Sequence, residues 1–62
     1  MNDAEQIALI VSDTWDGKLE GEILLEAIAF ELDHCLSIVV DFERDQDLIA
    51  DIIEHYNKLK QE

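Results

Sequence analysis

The chain has 62 residues, with sixteen acidic side chains against four basic ones and a formal charge of −12. A surface so charged repels nucleic acid and anionic membranes and attracts cationic surfaces. Apolar residues make up 48% of the chain, enough for a globular core rather than disorder, so the charge must sit on the outside of one small domain.

A domain this short buries only about 60% of the surface its unfolded chain exposes. Self-repulsion among the excess acids weakens it further, so completion by dimerisation or a bound partner is expected. Cys35 is alone, which rules out an internal disulfide. The opening Met1-Asn2-Asp3-Ala4-Glu5 lacks the basic and apolar regions of a signal peptide. No apolar run approaches the roughly 20 residues that cross a bilayer, and a cytoplasmic location is expected.

The only glycines are Gly17 and Gly21, and there is no proline, which favours long helices over several short strands. A first helix is predicted over 3–16, where Ala4, Ile7, Ala8, Val11 and Trp15 recur on one face. Asn2 is its predicted N-cap, with Glu5 in the capping-box position, and Gly17 is expected to end it in a left-handed conformation.

A second helix is predicted over 20–43. Leu24, Leu25, Ile28, Leu32, Cys35, Leu36 and Val39 share a broad face, with Glu22, Glu26 and Asp33 across from part of it. Ile23, Ala27 and Phe30 make a second apolar spot. Apolar residues on two sides predict that this helix is central. The competing reading is a short strand at 36–42, where Leu36, Ile38, Val40 and Phe42 alternate with Ser37 and Asp41, giving an α+β fold. Its only pairing candidate is Ile7–Val11, and a two-stranded sheet is too small to stand alone.

A third helix is predicted over 46–60. Leu48, Ile49, Ile52, Ile53, Tyr56 and Leu59 form its stripe, Asp45 its N-cap, and Glu54 and Lys58 an i,i+4 pair. A 3-4 spacing running from Leu25 through Val39, Phe42 and Gln46 to Tyr56 would also let the last two helices fuse into a long helical hairpin. The acid-rich stretch 41–47 is the only plausible break. The expected fold is all-α, a small three-helix or long-hairpin domain spanning 1–62.

Motifs for chemistry fail on inspection. Asp41, Glu43, Asp45 and Asp47 alternate like calcium ligands, but Gln46 and Ile52 replace the required glycine and closing glutamate. Glu31 and His34 have the Glu-x-x-His spacing of di-iron bundles without a further inward-facing glutamate. Cys35 beside His34 lacks the electropositive setting that activates a thiolate. Ser37 lacks the Asp-Ser-Leu context of an acyl carrier. No catalytic residue, metal or cofactor is expected, and the chain reads as non-enzymatic.

Function is therefore sought on the surface. Lys18 is the only formal cation before Arg44. Glu20, Glu22, Glu26, Asp33, Asp41 and Glu43 are the candidate partner-binding acids. Carboxylates at i and i+4 stand about 6 Å apart along a helix, comparable with neighbouring phosphates on one strand. By charge alone the chain is similar to the nucleic-acid mimics that phages and mobile elements use against restriction, CRISPR or host transcription factors. The expected partner is a cationic, nucleic-acid-binding protein. The alternative is a homodimeric adaptor recognised through an apolar face, with Trp15, Leu25, Ile28, Leu32, Leu36, Val39, Ile49, Ile52, Ile53 and Tyr56 as the core or dimer face.

Overall fold

The computed structural model describes residues 2–60, which form three α-helices and no strand. These are α1 (Asp3–Thr14), α2 (Gly21–Leu36) and α3 (Gln46–Lys60). Helix α1 starts as expected: the Asn2 side chain accepts from the Glu5 N–H at 2.8 Å. It closes at Trp15, whose N–H donates to the Val11 carbonyl at 3.0 Å. Gly17 does not take the left-handed conformation expected of it. Gly21 does, with φ of 66°, where the chain turns from extended Glu20 into α2.

Helix α2 stops seven residues short of the predicted 43, at Leu36. Ser37 takes the left-handed conformation, and its N–H turns back to the Asp33 carbonyl at 3.1 Å. The Ile38 N–H reaches the Leu32 carbonyl at 3.1 Å. Ile38, Val39 and Val40 follow without regular structure, and such β-branched residues are poor helix formers. The alternation in this stretch is a real burial pattern without a strand. Ile38 and Val40 pack against the core while Val39 between them is 78% exposed.

The lead-in to α3 differs as well. Asp45 stands just before α3, and its carbonyl accepts from the Ile49 N–H at 3.0 Å, while Asp41 caps the preceding turn, its Oδ1 accepting from the Glu43 N–H at 2.9 Å and the Arg44 N–H at 3.3 Å. Asp45 reaches backwards, accepting from the Asp41 N–H at 3.1 Å, so the two aspartates bracket the turn reciprocally. A fused helix over 21–60 would be about 60 Å long at 1.5 Å per residue. The longest dimension is 30 Å, so the long hairpin is excluded.

The central helix is α1, not α2. Its backbone lies close to that of α3 and also to that of α2, while the backbones of α2 and α3 stand farther apart. Ala4 and Ala8, both buried, let its backbone approach its neighbours. Ile7 and Val11 of α1, Ile28 and Leu32 of α2, and Ile52 and Tyr56 of α3 are fully buried and close a core within one chain. Tyr56 also ties down the connection between α1 and α2. Its hydroxyl donates to the Asp16 carbonyl and accepts from the Leu19 N–H at 2.7 Å. No helix among the described residues is long and apolar enough to cross a membrane.

Candidate functional site

Glu20, Glu22, Glu26, Asp33, Asp41 and Glu43 are all exposed. With 3.6 residues per turn, Glu22, Glu26 and Asp33 lie on one strip of α2. The row is short, because position 29, between Glu26 and Asp33, is alanine. Glu20 precedes the helix and its side chain makes no capping bond. The Asp41 carboxylate is occupied by the turn it caps, which leaves Glu43 as the free acid there.

Charge pairing divides the molecule. The ion pairs among the described residues are Arg44–Asp45 at 3.0 Å and Lys58–Glu54 at 3.5 Å, with His55 set against Asp51 at 3.6 Å, an ion pair when the imidazole is protonated. All belong to α3 or its lead-in, and none engages a carboxylate of α2. The Arg44 hydrogen bond, with the Asp41 N–H behind it, holds the Asp45 carboxyl below the usual aspartate value. Asp45 in turn raises the Arg44 guanidinium. At the far end, Lys18 and Lys60 line an open recess with Ser12, Asp16 and Glu20.

Exposed apolar side chains flank the α2 strip on both sides. On one side, Leu25 and Phe42 line a shallow recess rimmed by Glu22 and Glu26. On the other, Ile23 is 57% and Phe30 56% exposed. Phe30 meets Trp15 edge to face, with ring centroids 5.8 Å apart at 72°. His34 also stacks on Phe30, at 5.8 Å and 14°.

Trp15, expected at the core or dimer face, is 43% exposed; it stands at the α1 terminus and lies against Phe30 and Glu31 of α2. Val39 is likewise not core, since α2 ends before it. Ile28, Leu32, Ile49, Ile52 and Tyr56 are buried as expected, and Leu25, Leu36 and Ile53 are half-buried.

Glu31 is the one buried charged side chain among the described residues, 4% exposed. Its Oε1 accepts from the Trp15 indole N–H at 2.9 Å. Its Oε2 accepts from the Cys35 thiol at 3.5 Å. These bonds offset part of the large cost of removing a carboxylate from water. Desolvation, then the hydrogen bond to Glu31 and its charge, push the Cys35 thiol above its ordinary value. That agrees with the expected unreactive setting. A signal for Glu31 was present, since it stands three and four residues from Ile28 and Ala27 on the buried arc. The described residues hold no group of three or more metal-ligating side chains.

No protein-family model matches the chain, and no match is found among curated proteins or solved structures.

Proposed function

We propose that the chain is a non-enzymatic acidic binding protein that engages a cationic, nucleic-acid-binding protein through the carboxylates of α2 and regulates or blocks it. The observation that supports this is the strip Glu22, Glu26 and Asp33, which makes no ion pair among the described residues, while Asp51 and Glu54 of α3 each face a basic side chain one turn away. Unpaired like charges cost fold stability, so their concentration on one helix calls for a benefit elsewhere. A rigid row of carboxylates displaces counterions from a Lys/Arg surface much as a phosphate row does. Glu20 and Glu43 extend the negative field beyond the helix. The chemistry needs no metal or cofactor, and the cytoplasm, where nucleic-acid-binding targets are at hand, is the proposed location.

The exposed Ile23, Phe30, Val39 and Phe42 favour a second reading, an adaptor or homodimer recognised through apolar surface. Ile28 and Leu32 are spent on the core, so such an interface would have to use these outer residues instead.

A pull-down eluted by a salt gradient separates the readings. The expected result is release of a basic protein below about 0.5 M salt, since screening removes exposed charge pairs. Duplex DNA should compete with the chain for that protein, and Glu22→Lys, Glu26→Lys and Asp33→Lys together should abolish capture. Retention through 0.5 M salt, or equal capture by the reversed variant, would sink the acidic-face reading.

A further inference from the structure

We propose that the exposed aromatic cluster Trp15–Phe30–His34 is the docking point for an arginine-bearing segment of the cationic partner, with Glu31 as the positioning residue that fixes the Trp15 ring. This deepens the acidic-face reading and rests on it.

Three features of the molecule converge on that occupant. Trp15 and Phe30 are both exposed, and large aromatics in such settings concentrate binding energy at interfaces. The cluster is also preorganised. Trp15 and Phe30 meet edge to face, His34 stacks on Phe30, and the indole N–H is held at 2.9 Å by a buried carboxylate. A ring already held in place loses little side-chain freedom when a partner lands on it.

Charge then selects the partner. Glu22, Glu26 and Asp33 run along α2 directly beside Ile23, Phe30 and His34, one helical position around. A second copy of the chain would bring two acidic strips together in an isologous contact, which like charge opposes. An uncharged apolar segment would leave the carboxylates without partners. Arginine suits both halves of the surface, because its planar guanidinium stacks on aromatic faces while donating to carboxylates. Lysine satisfies the carboxylates but lacks the planar face.

The test uses the intact chain and two probes, a ten-residue arginine peptide and a ten-residue lysine peptide. Trp15 is the sole tryptophan, so its fluorescence and its indole N–H NMR signal report this site alone. The arginine peptide should bind about three- to tenfold more tightly than the lysine peptide and shift the indole signal. Phe30→Ala should erase the preference while leaving the lysine-peptide affinity in place. Glu31→Ala should also erase it, and Glu31→Gln, which keeps an acceptor for the indole N–H, should retain it.

Equal affinity for the two peptides with an unmoved indole signal would overturn the aromatic docking point. If that binding were still weakened by salt and by the α2 reversals, the acidic-face reading would stand. Binding of neither peptide at low salt would overturn both. The peptide comparison on the parent chain decides the matter even where a Glu31 variant fails to fold.

Discussion

Helices α2 and α3 carry similar numbers of acids but treat them differently. On α3, Asp51 and Glu54 each sit one turn from a basic side chain, and Lys58 and Lys60 close the helix at its negative end. On α2, Glu22, Glu26 and Asp33 share one strip and make no ion pair among the described residues, bordered by apolar side chains left in solvent. The acids of α3 are arranged as a stable isolated domain would arrange them. The acids of α2 have no such local compensation, and their mutual repulsion weakens the fold.

The contrast is broken most directly by truncating one side chain from each side of it. Ile52→Ala, in the core of α3, should cost about 2–5 kcal/mol, enough to unfold a domain of this size at moderate temperature. Phe30→Ala on the outer face of α2 should cost less than about 1 kcal/mol. Denaturant unfolding of the two variants measures both, and similar losses would mean the α2 aromatics belong to the core after all.

Tyr56→Phe comes next. It leaves the Leu19 N–H and the Asp16 carbonyl without their shared partner and should cost about 1–3 kcal/mol in the same assay.

Charge removal sharpens the contrast at a smaller scale. Glu22→Gln, Glu26→Gln and Asp33→Asn together should raise the midpoint of thermal unfolding by about 2–4 °C in low salt, a gain of roughly 0.5 kcal/mol that high salt should erase. Asp51→Asn with Glu54→Gln should give no gain, because it removes two local ion pairs along with the charge. A rise in both cases would show that α3 is as frustrated as α2.

The smallest effect is in the α3 lead-in. Because the folded state lowers the Asp45 carboxyl, its contribution is present above the ordinary aspartate value and is lost as pH falls through the lowered one. An NMR titration of Asp45 should show that low midpoint, and Arg44→Gln should bring it back up. An unchanged midpoint would mean that Arg44 is not its cause.

What was legible in the chain was mainly periodicity. The stripes of α1 and α3 and the Asn2 cap fall where their spacing places them, because each is decided within a few turns of one helix. The end of α2 was not legible. Ser37 gives no warning that it will adopt a left-handed conformation, and the apolar pattern continues past it because Ile38 and Val40 still face the core. The order of packing was hidden for a similar reason. Two apolar faces on α2 argue for a central helix, but the small residues Ala4 and Ala8 decide which helix the others approach. At the surface, the acid strip and the Ile23–Phe30 spot could be read from spacing. The Trp15–Glu31 bond joins positions sixteen residues apart, which local pattern cannot reach.

The two hydrogen bonds of Tyr56 to the first interhelical connection have a bearing on how the structure assembles. Its two partners lie 37 and 40 positions away along the chain, and the most intimate helix pairing is also the one between the first helix and the last. Contacts of such high sequence separation slow a small helical protein relative to a bundle built from adjacent hairpins. On the ribosome, the first two helices emerge with their shared apolar surface still uncovered and acquire a finished interior only when the third arrives.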